Sequence, residues 1–332
     1  MVTLTLGRTR RTVSAIALGT WQLGGDWGEV TDTEARAVLD ASAEAGVTLI
    51  DTADVYGDGR SEQLIGAYLA DRPGHNITVA TKMGRRGVQD PANFTLAKFR
   101  VWTDRSRTNL RTDTLDLVQL HCPPTAVFAS DQVFEDLDTL VAEGAIAAYG
   151  VSVETADEAL AAIARPNVAT VQIILNAFRL KPLDDVLPAA IAAGVGIIAR
   201  VPLASGLLSG KYTADTTFAA NDHRTYNRDG SAFDVGETFS GVDFQRGVAA
   251  AREFAALLPG EVAASGFTTA QVALAWVAQL DGVSSVIPGA RNVTQADSNA
   301  AAGSVPGLSA AFTAAVAGLY DREFRATVHH RW

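Results

Sequence analysis

Three short apolar runs end, one after another, in residues that could do chemistry. The run Gly46-Val47-Thr48-Leu49-Ile50 ends at Asp51, and Tyr56 follows five residues later beside Gly57. The run 77–81 ends at Lys82, and the run 117–120 ends at His121. Apolar runs of this length read as strands, and strand ends are where an α/β enzyme collects its reacting groups. An unperturbed phenol loses its proton near pH 10 (about 10). A neighbouring ammonium makes it more acidic, and a carboxylate keeps that ammonium charged and oriented. An imidazole beside them can hydrogen-bond the oxygen being protonated. Asp51, Tyr56, Lys82 and His121 together are machinery for protonating a carbonyl oxygen while something else attacks the carbon. No side chain delivers a hydride, so a cofactor must. Taken singly, Asp51 reads as a turn residue, Tyr56 as packing, Lys82 as a solvated charge and His121 as a core histidine. Three consecutive strand exits make the joint reading the stronger one. Cys122 reads as a passenger beside His121.

The elements needed to hold these residues repeat along the chain. Residues 2–6 and 12–17 flank Gly7-Arg8-Thr9-Arg10-Arg11 and predict a hairpin, its second arm running on to Leu18 as the first strand of the repeat. Helices are expected at 31–44, 61–69, 96–110, 132–143, 155–164, 183–193, 244–257, 269–280, 292–301 and 309–325. Thr31 or Thr33 caps the first of these, and Ala35, Val38, Leu39 and Ala43 form its apolar stripe. Strands are expected at 47–50, 77–81, 116–120, 146–151, 169–175, 196–200 and 283–287. Regular alternation means parallel strands with helices outside. Eight such units close most naturally into an α/β (β/α)8 barrel, a TIM barrel, with the N-terminal hairpin closing its bottom. We expect one domain over 1–332. The rival doubly wound sheet would want a dinucleotide fingerprint opening a helix, whereas the glycines of Gly194-Val195-Gly196-Ile197-Ile198-Ala199 precede a strand.

Composition narrows the function. The chain has 332 residues, 48% of them hydrophobic, which suffices for a large core. A net charge of −10 with no basic block argues against a nucleic-acid partner. One cysteine forbids an internal disulfide and fits a reducing compartment. No signal peptide or apolar run of membrane-spanning length is expected, so the cytoplasm is the expected location. No metal site is expected.

Two stretches interrupt the alternation. Ser205-Gly206-Leu207-Leu208-Ser209-Gly210-Lys211 lies one residue short of a P-loop and lacks its Ser/Thr. Its backbone N–H groups and lysine could still cradle a pyrophosphate. Residues 221–239 are polar and aperiodic, the pattern of a lid or a disordered loop. We therefore expect 201–243 to serve as cofactor clasp and lid. Pro288-Gly289-Ala290-Arg291 opens a helix, and a helix N-terminus beside an arginine attracts a phosphate monoester.

These residues resemble the aldo-keto reductase superfamily over most of the chain. The resemblance is carried by Leu18-Gly19-Thr20-Trp21, Asp51-Thr52-Ala53-Asp54-Val55-Tyr56-Gly57, Thr81-Lys82, Leu120-His121, Gly150-Val151-Ser152, the segment from Pro202-Leu203 to Gly210-Lys211, and Ile287-Pro288-Gly289. It implies a barrel that reduces an aldehyde or ketone with NADPH, NADH being the alternative cofactor. Tyr56 would be the general acid, Lys82 and Asp51 its tuning pair, and His121 the residue that orients the substrate. Gly19, Thr20, Trp21 and Asp51 would line the nicotinamide end, with Ser152 and Gln172 on the carboxamide. Pro202, Leu203, Ser205, Gly206, Leu208 and Lys211 would follow the pyrophosphate. Gly289, Arg291, Gln295 and Asn299 would take the adenosine and its 2′-phosphate. Trp21, Trp27 and Val55 would make part of the pocket for a small-molecule carbonyl substrate.

The chain departs from the family pattern at three places. Val153 follows Ser152 where many members have Asn. Arg200-Val201 stands where many have Tyr-Ser, so Arg200 would have to stack on the nicotinamide as a planar cation. No basic residue stands at 289, so Arg291 or Lys211 must meet the 2′-phosphate. Two other readings compete. A glycoside hydrolase on the same barrel would use two carboxylates such as Asp51 and Glu154. A cofactor-binding redox-sensor barrel would bind the nucleotide with little turnover.

Overall fold

The computed structural model describes residues 1–24 and 30–332. A hairpin of β1 (Thr3–Thr5) and β2 (Thr12–Ser14) comes first. An eight-stranded parallel sheet follows: β3 (Leu18–Gly19), β4 (Leu49–Asp51), β5 (Thr78–Met83), β6 (Leu117–His121), β7 (Tyr149–Ser152), β8 (Val168–Ile174), β9 (Gly196–Arg200) and β10 (Val283–Val286). Each strand pairs with its neighbour in chain order. Parallel bridges Ile16–Val286 and Gly19–Gly289 join the first strand to the last. The Ala17 N–H donates to the Val286 carbonyl at 2.8 Å across that seam. The sheet is therefore a closed barrel, as the alternation predicts.

Helices cover the outside: α1 (Asp32–Glu44), α2 (Arg60–Ala70), α3 (Leu96–Leu110), α4 (Asp131–Ala142), α5 (Ala156–Ile163) and α6 (Val186–Ala193). Beyond β9 come α7 (His223–Tyr226), α8 (Phe244–Ala256), α9 (Gly260–Ala264), α10 (Thr269–Ala278), α11 (Val293–Ala301) and α12 (Ala310–Tyr320). Thr31, not Thr33, starts α1. Its hydroxyl accepts from the Glu34 N–H while the Glu34 carboxylate accepts from the Thr31 N–H, a reciprocal cap. Ala35, Val38 and Leu39 are buried as expected, each large aliphatic contributing about 1.5–3 kcal/mol. Ala43 is only half-buried, and Ala41 takes its place in the core.

Some boundaries differ from expectation. The hairpin's second arm stops at Ser14 instead of reaching Leu18. There the Ser14 N–H donates to the Thr48 hydroxyl at 2.8 Å, and the Thr48 N–H to the Ser14 hydroxyl at 3.0 Å. These bonds tie the end of the arm to the residue that precedes β4. Residues 183–185 are not in α6, because a 3-10 turn at Lys181–Leu183, carrying Pro182, precedes it. The last expected helix changes at Tyr320 into a wider π turn, Asp321–Arg325.

Period-two alternation sorts the barrel interior into layers. Leu49, Ala80, Leu117 and Ile198 form an apolar floor with Leu6 and Val13 of the hairpin. Gly7 lets the hairpin turn press against the barrel's lower end. It sits at φ +49°, and a Cβ there would lie 2.1 Å from the Gly196 nitrogen. Two residues beyond the floor on the same strands stand Asp51, Lys82, Gln119 and Arg200, all buried. The same rule that builds the floor therefore aims a polar layer into the barrel's open end.

Candidate active site

The Lys82 ammonium sits at the centre of that layer. It pairs with Asp51 Oδ1, donates to the Thr52 carbonyl at 2.9 Å, and lies 3.4 Å from the Tyr56 hydroxyl. The other Asp51 oxygen accepts from Gln172 Nε2 at 2.7 Å and Gln119 Nε2 at 3.3 Å. Burial alone would lower the Lys82 pKa. The Asp51 carboxylate and then the Tyr56 oxygen more than offset it, so the net shift is upward and the ammonium stays charged. Burial likewise pushes the Tyr56 phenol above its ordinary value, with Lys82 pulling it back. The phenol therefore holds its proton at neutral pH. His121 meets the Tyr56 ring edge-on at 6.1 Å. Burial, then Arg85, Lys82 and Arg200, hold the imidazole well below its ordinary value, so it is neutral and carries one N–H. His121 Nδ1 has no hydrogen-bond partner among the described residues.

Tyr56 reaches this position through a tight turn at Tyr56–Gly59. Gly57 there is at φ +58°, and a Cβ would lie 2.1 Å from the Gly24 carbonyl oxygen. Behind the turn the Asp54 carboxyl is wholly buried, and neither oxygen has a hydrogen-bond partner among the described residues. Burial first, and then the Glu62 charge, push its pKa from 3.8 up to about 7. The folded chain keeps a proton there that the unfolded chain releases. The resulting stability is fully present below about pH 4 and is lost as pH rises through 7. Asp54→Asn is expected to remove this loss, so that the variant is more stable than the parent at pH 8 by on the order of 2 kcal/mol. Thermal unfolding at pH 6 and pH 8 checks it; equal pH slopes for the two proteins would refute it.

Asp51, Tyr56 and His121 open onto a cleft of about 1060 Å³ at the barrel mouth. Gly19, Thr20, Trp21, Asp51, Val55, Tyr56, His121, Ser152, Gln172 and Arg200 line it, as do Pro202, Leu203, Ser205, Gly206, Lys211, Gly289, Arg291, Gln295 and Asn299. Leu208 does not: it is buried in the core, because its side chain points inward from a turn at Ala204–Ser209. Lys82 lies beneath Tyr56, out of the lining. Trp27 lies outside the described residues. Gln172 lines the cleft with its Nε2 bound to Asp51 and Gln119. Arg200 is not a stacking plate in the open. It pairs with Glu237 and donates to the Val153 carbonyl at 3.1 Å. The Asp51–Glu154 pair imagined for hydrolysis does not face a common bond: Asp51 is occupied by Lys82 and two glutamines, and Glu154 is not in the lining.

The polar stretch after the glycine-rich loop is ordered. Its hub is the buried Asn227, whose Oδ1 accepts from the Ala232 and Phe233 N–H groups and whose Nδ2 donates to the Thr238 hydroxyl at 3.2 Å. The stretch leans on the loop through Ser205, which donates to the Glu237 carbonyl at 2.6 Å and accepts from the Phe239 N–H at 3.0 Å. It thereby brings Phe233 to 6.0 Å and His223 to 5.5 Å from the Trp21 ring.

Several residues in and beneath the cleft escape sequence reasoning. Gln119 was findable, since it stands two residues before His121 and must face the same side. Gln22 lines the cleft and has a buried Oε1 without a partner among the described residues. Arg85, Phe233 and Glu237 lie on loops with no period to betray them.

A barrel carrying a lysine–carboxylate–phenol cluster under a long cleft defines an enzyme of the α/β barrel class. The family model described as the aldo/keto reductase family matches residues 15–321. An uncharacterized oxidoreductase of Mycobacterium tuberculosis is 32% identical over 304 residues, covering 88% of this chain and 85% of that protein. A glycerol dehydrogenase structure from Gluconobacter oxydans superposes with a TM-score of 0.76 at 30% identity, covering 97% of this chain and 95% of that one. An aldo/keto reductase from Klebsiella pneumoniae, solved with NADP and acetate, superposes with a TM-score of 0.69 at 25% identity, covering 96% and 95%. The chain belongs to the aldo/keto reductase family.

Proposed function

We propose that this protein reduces an aldehyde or ketone to an alcohol with NADPH, and that Tyr56 gives the proton. The observation that carries this reading is the 3.4 Å contact between the Tyr56 hydroxyl and an ammonium fixed by Asp51, at the base of the cleft. The cleft suits a dinucleotide in three respects. Its volume exceeds what a small ligand needs. Gln22 Oε1 offers an acceptor that has no donor among the described residues. Lys211 and Arg291 are exposed cations on its lining. NADPH, when bound, would supply the hydride for the carbonyl carbon, giving NADP+.

The chain's residues do the rest. His121 donates its one N–H to the carbonyl oxygen and fixes its direction. Tyr56 releases its proton to that oxygen, and the neighbouring ammonium stabilises the phenolate left behind. Asp51 keeps the ammonium in place, held in turn by Gln119 and Gln172. One carbonyl, one hydride and one proton give one alcohol. Gly19, Thr20, Trp21 and Ser152 would hold the nicotinamide. The loop from Pro202 to Lys211 would follow the pyrophosphate. Gly289, Arg291, Gln295 and Asn299 would take the adenosine end.

The test is a fluorescence titration with NADPH and, separately, NADH. Saturable binding that is tighter for NADPH is expected, and binding of neither would overturn the reading. Arg291→Ala is expected to weaken NADPH about tenfold or more while NADH changes much less, because only NADPH carries the 2′-phosphate. An equal loss for both cofactors would move the 2′-phosphate contact away from Arg291.

A further inference from the structure

The cations lining the cleft are not equally committed. Arg200 is paired with Glu237, and Arg224 with Asp222 at 2.5 Å. Lys211 and Arg291 belong to the loops read above as the phosphate end. Arg85 remains. It lies three residues beyond Lys82 at the same strand exit, and it lines the cleft with Tyr56, Val55 and His121. None of its five N–H groups makes a hydrogen bond to a described residue. Its one ion-pair partner there, Glu154, stands 3.7 Å away and is not part of the lining. The Arg85 side chain is 30% exposed. It also acts on the reaction's own histidine, being the largest charge effect on His121 after burial. Val55, Trp21 and Phe233 make the adjoining wall apolar, which strengthens any charge pairing there.

We propose that Arg85 is a specificity residue that selects carbonyl substrates bearing a carboxylate, which it binds beside His121. A guanidinium with unused donors in a partly apolar cleft is matched by a planar anion that accepts two of them at once. Glu154 is near enough to keep the side chain pointed at the cleft and too far to satisfy it. The burial of Glu154, followed by the Asp234 charge, pushes its own pKa up and weakens its claim on the arginine further.

This inference rests on the reductase reading, and the test separates the two. Turnover of 4-carboxybenzaldehyde is compared with that of its methyl ester, which presents the same aldehyde without the charge. The wild type is expected to prefer the acid in kcat/KM by about tenfold or more. Arg85→Gln is expected to lower the acid-to-ester ratio by about 10–100-fold, and Arg85→Lys to recover part of it. Calorimetry gives a second readout: benzoate, with benzamide as the uncharged control, is titrated into the protein with and without NADPH. Wild-type binding of benzoate that Arg85→Gln abolishes is expected. Turnover of both aldehydes at a ratio near one in both proteins overturns the carboxylate assignment and leaves the reductase standing. Arg85-dependent benzoate binding without any turnover does the reverse. Neither turnover nor benzoate binding overturns both.

Discussion

Tyr56→Phe is expected to lose about 10²–10⁴ of turnover, the usual contribution of a positioned acid, while cofactor affinity stays within about twofold. The substitution deletes one oxygen and leaves the ring. The ring's stacking on Trp21 at 6.2 Å and its edge contact with His121 therefore persist. Lys82 loses its 3.4 Å neighbour but keeps Asp51 and the Thr52 carbonyl, so the fold has little reason to weaken. Because burial holds the phenol's pKa up, the wild-type donor is loaded at neutral pH, and the rate should fall only in the alkaline range. The Phe variant should lack that alkaline limb. Steady-state rates across pH 6–11 check both statements, and an undiminished rate would remove Tyr56 from the reaction.

Lys82→Met is expected to strike both stability and rate. It leaves the Asp51 carboxylate buried with only the two glutamine donors, at 2.7 and 3.3 Å. Breaking a buried ion pair by removing one partner typically costs about 3–5 kcal/mol. The rate should fall at least as far as in Tyr56→Phe, because the phenolate loses its stabilising charge. The double variant Asp51→Asn with Lys82→Met removes the stranded charge as well. It is expected to regain much of the stability and none of the rate. Urea unfolding alongside kinetics separates the two effects. A single variant as stable as the parent would show that the pair does not help hold the barrel mouth together.

What the sequence makes legible here is what repeats. Asp51, Lys82 and His121 end successive apolar runs, so their strands and shared direction follow from alternation alone. The Thr31–Glu34 cap is likewise local in sequence, and α3 matches its expected span. The missed features depend on meetings between distant segments. Arg200 pairs with Glu237, and Asp51 draws in Gln119 and Gln172. No propensity encodes such meetings. The order of 221–239 was hidden for a related reason. It comes from one buried asparagine, Asn227, satisfying backbone groups that in a helix or strand would reveal themselves by period. Leu208 misled because family position placed it on a clasp, while its own apolar character sends it to the core.

The seam between the first strand and the last has a consequence for how the molecule is made. Ile16 finds Val286, and Gly19 finds Gly289, only after some 270 intervening residues have been synthesised. The groups proposed to handle the proton emerge from the ribosome early, all of them by residue 121. Yet Gly19 and its neighbours cannot be set against their far wall until the tenth strand arrives. A nascent chain thus carries the whole set of side chains proposed to react long before it has a vessel to use them in. Barrel closure, and not the appearance of any one residue, is the step at which chemistry becomes available.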